Sequence, residues 1–236
     1  MINKSVFKIS IDESIKHLKG LNLFKDIGPN QIGCYSKEFK KVCRGNKHID
    51  IYNCIVKNLD YEIILNDDSF FQFSWDNEYL RYSFIQNPNI SFSKTDYLNQ
   101  VFSLEEIDEM SDSDLDELVN EDDYEQFLNE QIQNNNPIYI RYDFDRKGYK
   151  PLLHSCSHIH FTLSEDMRIS SQRIFTPHMF TYLCVKLCYY DSWKSHFELK
   201  EQNAIASEIL DIKNRAFLIS DKDIWNDIEK NEMYLF

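Results

Sequence analysis

The fold and the candidate chemistry of this chain are decided by residues 138–169, and above all by the run His154-Ser155-Cys156-Ser157-His158-Ile159-His160. Successive side chains of a β-strand point to opposite faces of the sheet. In this run the imidazoles occupy even positions, whereas Ile159 and Phe161 occupy odd positions. The pattern predicts a strand with one core face and one histidine face.

The preceding run divides in the same way: Ile138-Tyr139-Ile140-Arg141-Tyr142-Asp143-Phe144-Asp145. Residues 146–150 contain a glycine and several polar residues, which suits a hairpin connection between the two strands. If the two apolar faces share one core, we expect Ile140, Tyr142, Ile159 and Phe161 to be buried together. The opposite face then carries Arg141, Asp143, His154, His158 and His160.

The composition is that of a globular protein. The 236 residues are 14% aromatic and contain only five Gly and five Pro, which excludes disordered and collagen-like classes. The chain has no apolar run near the roughly 20 residues of a membrane span, and residues 1–7 lack the features of a signal peptide. We therefore expect a cytoplasmic protein with no membrane partner.

The net charge of −13 comes from a single segment. Residues 103–130 contain thirteen acidic residues and neither Lys nor Arg, and their removal leaves 26 acidic residues against 26 basic ones. The segment is interpreted as one or two solvated amphipathic helices, or as a flap that mimics nucleic acid or covers a basic site. Its acidity does not exclude a polyanionic substrate elsewhere on the surface.

The six cysteines lack the Cys-x-x-Cys spacing of zinc knuckles, so we expect reduced, structural thiols.

The patterns along the chain predict the α+β class and a single domain over residues 1–236. Residues 1–60 are mainly helical in pattern, with a capping box at Ser10 and Glu13. Residues 61–175 form an antiparallel sheet of about five or six strands, with acidic helices inserted at 93–133 and a linker at 131–137. Residues 176–236 are helical: Thr176-Pro177 starts a helix that extends to about Trp193, and two more are expected at 197–210 and 221–232.

Several chemistries fit the histidine face. In the first, His158 and His160 act as general acid and base without a metal, because imidazole titrates near neutral pH. Arg141 and Arg168 then hold a phosphate, Asp143 orients a histidine, and His154 completes the catalytic set. This arrangement suits cleavage of RNA, whose 2′-hydroxyl is the nucleophile, and needs no cofactor.

The alternatives are a metal site, a nucleophilic pair and a structural role. His158 and His160 lie about 7 Å apart along one strand face and can chelate an ion, with Cys156 or Asp143 completing the shell. His154 is about 13 Å from His158 along an extended strand, too far to join without a bend. A Cys156–His158 pair is a weaker fit, because the two side chains point in parallel. In the structural alternative, the polar residues of the histidine face only hold the sheet together by hydrogen bonds.

The same residues carry a resemblance to a known family. Tyr142-Asp143, the run from His154 to His160, Arg168-Ile169 and Thr176-Pro177-His178-Met179-Phe180 resemble the signature of a bacterial domain family of unknown function. That signature has Pro where this chain has Ser155, and Pro where it has Ser170. More distantly, an Arg-aromatic-Asp strand followed by a His-x-His strand is similar to RNA-targeting toxins of toxin–antitoxin systems.

Two functions are consistent with these observations. The first is a nuclease-like effector of a bacterial defence or toxin–antitoxin system. It would be a metal-independent ribonuclease that acts on RNA, and it would work with a protein partner of the same system. The second is a non-catalytic subunit that docks a protein partner through the acidic segment or the sheet surface. A basic rim around the histidine face favours the first.

Overall fold

A computed structural model describes residues 2–29, 32–43, 45, 47–76, 78–89, 94–98, 102, 111, 118–134, 137–161, 163, 167–198, 200–231 and 234–235. It confirms the α+β class. The described helices are α1 (Lys4–Gly20), α2 (Lys37–Val42), α3 (His48–Asn58), α4 (Lys94–Leu98), α5 (Glu121–Asn134), α6 (Pro177–Cys188), α7 (Tyr190–Glu198) and α8 (Gln202–Asn214). None of them combines the length and the apolarity that a membrane span requires.

The described strands are β1 (Phe24–Ile27), β2 (Ile63–Leu65), β3 (Phe70–Trp75), β4 (Tyr79–Ile85), β5 (Tyr139–Asp145), β6 (Ser157–His160), β7 (Arg168–Ser171), β8 (Arg173–Ile174), β9 (Phe217–Leu218) and β10 (Tyr234–Leu235). The main sheet has the order β1-β2-β3-β4-β5-β6-β7-β10. Its neighbours are antiparallel except for β10, which is parallel to β7. Strands β2 to β7 are the six predicted from residues 61–85 and 138–175, whereas β1 and β10 were missed.

One face of the main sheet supports the larger hydrophobic core. Phe7 and Leu18 of α1 pack there with Phe180 of α6 against Phe71 and Tyr82 of the sheet. Ile140, Tyr142 and Ile159 belong to the same core, and a partly buried Phe161 packs against it. The predicted odd–even division of β5 and β6 is therefore confirmed. Four aromatic residues of β3 and β4 also lie in this core: Phe71, Phe73, Tyr82 and Phe84.

The opposite face is divided between packing and polar residues. Helices α2 and α3 cover one end, where Phe39 and Ile55 pack against Phe70, Ile85 and Tyr139. Towards β6 and β7 this face carries charged and imidazole side chains. The packing of α2 and α3 thus leaves the polar part of the face at β4–β7.

Helix starts follow local capping chemistry. Thr176 accepts a hydrogen bond from the Met179 amide and Pro177 is the first helical residue, as predicted. The predicted start of α1 at Ser10 was wrong, because Asn3 caps the helix and it begins at Lys4. Ser10 instead accepts a hydrogen bond from the His178 amide, at the start of α6.

Residues 88–137 form a compact unit of their own, as do residues 1–87 with 138–236. Within the inserted unit, Leu98 and Val119 form a small core with Tyr97, Phe102 and Tyr124. Helix α5 extends to Asn134, so the predicted linker at 131–137 was wrong for its first four residues. Residues 103–110 and 112–117 of the acidic segment lie outside the described residues, and its role remains a prediction.

The last predicted helix, at 221–232, was wrong. This segment contains turns and a short 3-10 helix, Glu229–Asn231. The carboxylate of Asp221 accepts from the Asp223 amide, and the side-chain oxygen of Asn226 accepts from the Ile228 and Glu229 amides. Such local side-chain bonds compete with helix formation. The predicted helix from Thr176 to Trp193 is likewise divided into α6 and α7.

Candidate functional site: a histidine and arginine cavity

The strand register brings the predicted residues together. Asp143 on β5 lies between Arg81 on β4 and His158 on β6. In the next row of the same face, Arg141 is opposite His160, and His160 is opposite Arg168 of β7. The site is thus built from four adjacent strands of one rigid sheet.

Asp143 is the centre of the site and is only 4% exposed. Its Oδ1 accepts from Arg81 Nε at 2.7 Å and from the Tyr79 hydroxyl at 3.2 Å, and its Oδ2 accepts from Arg141 Nε at 2.8 Å. Burial alone would raise the pKa of Asp143, but the neighbouring His160 ring and the charges of both arginines hold it well below its usual range. Asp143 is therefore a permanently ionised anchor.

His158 is a neutral imidazole with one nitrogen directed at the anchor. The side chain is 1% exposed, and Nδ1 lies 2.7 Å from the Ser155 carbonyl oxygen. A carbonyl oxygen only accepts, so Nδ1 carries the proton and Nε2, 3.9 Å from Asp143 Oδ2, has a free lone pair. Burial lowers the pKa of His158 to about 4, despite the opposing charge of Asp143.

His160 is held by an arginine. Arg141 Nη2 lies 3.0 Å from His160 Nε2. A guanidinium group only donates, so Nε2 accepts this bond and the proton of the neutral ring is on Nδ1. Nε2 is also 3.6 Å from Asp143 Oδ2, and among the described residues Nδ1 has no hydrogen-bond partner.

His154 joins the cluster, contrary to the expectation of a 13 Å separation. Its ring centroid lies 4.9 Å from that of His158. The chain turns at residues 151–154, where Leu152 adopts a positive φ of 62° and the backbones of Lys150 and His154 pair. The predicted five-residue hairpin connection was therefore wrong, because it extends over residues 146–156.

Cys156 does not share the histidine face. Its side chain is buried in the larger core, because the strand begins only at Ser157 and the alternation does not extend to residues 154–156. Burial raises the pKa of Cys156 to about 12. Both the Cys156–His158 nucleophile pair and a Cys156 metal ligand are excluded by this position. All six cysteines are free.

A cavity of about 170 Å³ unites all six predicted site residues. Its lining comprises Tyr79, Arg81, Arg141, Asp143, Asp145, His154, His158, His160 and Arg168. Three guanidinium groups and three imidazoles thus face two carboxylates, one of which is already paired with two arginines. The cavity is suited to an anion.

The family described as "Uncharacterized conserved protein (DUF2290)" matches residues 24–234. The chain belongs to this family. The match spans every residue that lines the cavity. No curated protein and no solved structure matches the chain.

Three contributors to the site were missed by the sequence analysis. Tyr79 and Arg81 were included only as part of the predicted sheet, although their alternation with Leu80 and Tyr82 carried the same signal as β5. Glu229 gave no signal at all, because it lies in a segment predicted to be helical.

Glu229 holds the loop that carries the histidines. It is fully buried and accepts from the Leu152 amide at 3.2 Å and from the Ser155 hydroxyl at 3.1 Å. The carbonyl of Ser155 in turn orients His158. Glu229 therefore positions the loop without lining the cavity.

A metal ion is the competing ligand of this site. One donor atom each from Asp143, His158 and His160 lie within 4.8 Å of one another, and two histidines with a carboxylate can bind transition metals. However, both oxygens of Asp143 accept from arginines, and Arg141 also occupies His160 Nε2. Three guanidinium groups around the donors oppose a cation, so the charges favour an anionic ligand.

The lowered pKa of His158 predicts an acid-sensitive fold. A histidine whose folded pKa lies below its unfolded value of 6.5 contributes its full stability above pH 6.5, and this contribution is lost as the pH falls towards 4. At about 1.4 kcal/mol per pKa unit, the loss for His158 is on the order of 3 kcal/mol. His17 has the same shift, caused mainly by burial, and adds to it.

Urea unfolding between pH 7.5 and 4.5 measures this loss. Over this pH range the free energy of unfolding should fall less for the variant His158→Asn than for the parent. The part of the fall that is due to His17 should remain in the variant. An identical pH dependence in both proteins would contradict a buried, neutral His158.

Proposed function

We propose that the protein cleaves RNA by metal-independent general acid–base catalysis at the histidine and arginine cavity. The observation that supports this most is the placement of two buried imidazoles, His158 and His160, beside the guanidinium groups of Arg141 and Arg168 in one small cavity. Arginine binds phosphate oxygens by paired, charge-assisted hydrogen bonds. The cavity accordingly receives one phosphodiester group.

In the proposed reaction His158 is the base. Its Nε2 lone pair accepts the proton of the ribose 2′-hydroxyl as the 2′-oxygen attacks the neighbouring phosphorus. The P–O bond to the next nucleotide breaks, and the products are a 2′,3′-cyclic phosphate and a free 5′-hydroxyl. Phosphate bound nearby brings negative charge, which raises the pKa of His158 towards neutrality and makes it a stronger base.

His160 is the acid that protonates the leaving 5′-oxygen. In the free protein its Nε2 accepts from Arg141. A phosphate oxygen competes for the same guanidinium group, which frees Nε2 to take up a proton that Asp143 stabilises. Arg141 and Arg168 then stabilise the charge that develops on the phosphate. His154, whose ring contacts that of His158, is the third imidazole of the proposed catalytic set.

Three substrates test this reaction in one assay. The expected result is cleavage of an RNA oligonucleotide, no cleavage of the same sequence in DNA, and no cleavage of RNA with a single 2′-deoxy nucleotide at the scissile position. The rate should be unchanged by excess EDTA, and the products should end in cyclic phosphate. Loss of activity in EDTA, restored by zinc or manganese, would instead assign Asp143, His158 and His160 as metal ligands.

The cellular setting of this reaction rests on the resemblance to toxins, and we place the protein as an effector of a defence or toxin–antitoxin system with a protein partner. Growth arrest on expression should then require His158. The competing proposal is a non-catalytic subunit that docks a partner through the acidic segment or the sheet surface. It predicts that the His158→Ala variant retains the full cellular effect and that the purified protein leaves RNA intact.

A further inference from the structure

A second and larger cavity lies beside the histidine and arginine cavity on the same sheet face. Its volume is about 450 Å³, within the range of about 300–1,000 Å³ typical of small-molecule sites. The two cavities share Tyr79, Arg81 and Arg141 as lining residues. A ligand that places an anionic group against Arg141 can therefore extend into the larger space.

The walls of the larger cavity are aromatic. Tyr35 and Phe39, with ring centroids 5.4 Å apart, come from the α2 side, and Tyr79 and Tyr139 come from the sheet. The guanidinium carbon of Arg81 lies 5.2 Å from the ring centroid of Tyr79. Aromatic rings and guanidinium planes are the groups on which nucleobases stack in protein sites.

The floor of this cavity is polar and pre-arranged. Gln72, Ser74 and Ser83 point from alternate positions of β3 and β4, where Gln72 is the register partner of Ser83. Gln72 Nε2 lies 2.5 Å from the Asp60 carbonyl oxygen. Because that oxygen only accepts, the amide is held in one orientation and presents a defined edge. Fixed amides and hydroxyls of this kind read the hydrogen-bonding edge of a base.

The charge of the lining also selects the ligand. Lys40, Arg81 and Arg141 contribute to the larger cavity, and its described lining residues include neither Asp nor Glu. An anionic ligand with a flat polar ring fits this combination better than a peptide or a sugar.

We infer that the larger cavity binds the nucleobase of the nucleotide whose phosphate occupies the histidine and arginine cavity. Tyr79, Arg81 and Arg141 lie at the junction and contact the sugar and phosphate, and the base stacks between the aromatic walls. The inference deepens the proposed function, on which it depends for the phosphate half of the ligand. It assigns the enzyme a substrate class, a single nucleotide unit of RNA recognised through its base.

Binding of small ligands to the intact chain tests the pocket without requiring catalysis. Stacking of one base is worth about 1–3 kcal/mol, so a nucleoside 3′-monophosphate should bind about 5- to 150-fold more tightly than ribose 5-phosphate. Calorimetric titrations of both ligands, and of the uncharged nucleosides, give these ratios. We expect one base to bind more tightly than the others, because Gln72 presents one fixed edge.

The variant Ser74→Leu places a larger apolar side chain in the cavity, beside its register partner Arg81, without replacing any residue proposed to bind phosphate or transfer protons. It should remove the preference for the nucleotide and leave the affinity for ribose 5-phosphate unchanged. Should thermal melting show that this variant is unfolded, Cys43→Phe fills the cavity from the α2 side.

The outcomes separate this inference from the proposed function. Equal affinities of nucleotide and ribose 5-phosphate in the parent protein would overturn the base pocket and leave the phosphate site intact. Nucleosides that bind the parent but not Ser74→Leu, with no affinity for ribose 5-phosphate, would support the pocket and overturn the phosphate site. Absence of all binding would overturn both.

Discussion

Replacement of His158 or His160 with Ala is expected to lower the rate of RNA cleavage by about 100- to 10,000-fold, the usual cost of removing a general acid or base. The loss should appear in kcat more than in KM, since Arg141 and Arg168 still bind the phosphate. The two variants together should cost much less than the product of the single losses, because groups that act as a unit are not additive.

Because His158 and His160 are buried, the comparison of activities needs a control for loss of stability. Both histidines lie on the face of the sheet opposite the larger core, yet they are only 1% and 2% exposed, so their removal also lowers stability. His17→Asn is a matched control, because His17 has its pKa lowered to about 4 by burial just as His158 does and lies on α1, away from the cavity. It should change stability but leave the cleavage rate at its parent value.

Added imidazole provides a second control. The space left by His158→Ala can admit a free imidazole, which should restore part of the activity in proportion to its concentration. A variant that loses activity only through unfolding would not respond to imidazole. Parent-like cleavage by well-folded His158→Ala and His160→Ala variants would contradict the catalytic assignment.

The sheet could be predicted because its signals are local. The alternation of apolar and polar residues in β5 and β6 places Tyr142 and Ile159 in the core and Asp143 and His158 opposite them, and it depends only on strand geometry. Antiparallel pairing of neighbouring strands then brings Asp143 beside His158. This much of the candidate site follows from the sequence.

The rest depends on contacts between distant parts of the chain. Glu229 accepts from Ser155 across more than seventy residues, and Arg81 reaches Asp143 from a strand that precedes the inserted unit. The bend that brings His154 to His158 requires the positive φ of Leu152, which no residue preference predicts. Periodicity indicates which face a residue occupies, but it does not show which remote side chains join it there.

Burial of the site was also beyond the sequence. The alternation of residue types assigns His158 and His160 to the face opposite the core without giving their exposure, and it assigns Cys156, at an even position, to the same face. The bend before Ser157 moves Cys156 into the core, and neighbouring side chains of the face enclose His158 and His160. A polar strand face therefore indicates that its side chains lie outside the hydrophobic core. It does not show that they are exposed to solvent.

The largest change in stability is expected from Asp143→Ala, at about 3–5 kcal/mol. Removal of this carboxylate leaves the guanidinium group of Arg141, whose side chain is only 12% exposed, without its partner at 2.8 Å. A buried charge without a partner retains its desolvation cost and loses the attraction that offset it. Urea unfolding at pH 7.5 measures the difference in the free energy of unfolding.

Two further variants show whether the cost comes from the buried charge. The side chain of Arg81 is 43% exposed and Asp143 keeps its ion pair with Arg141 in its absence, so Arg81→Ala should cost less than Asp143→Ala, roughly 1 kcal/mol. The double variant Asp143→Ala with Arg141→Met removes both buried charges and should recover much of the loss, since replacement of a whole buried pair by apolar groups is often neutral. If the double variant is instead as unstable as the sum of its single changes, Asp143 stabilises the sheet through packing and its hydrogen bond from Tyr79. The buried ion pair would then be a feature of binding and catalysis that makes no net contribution to folding.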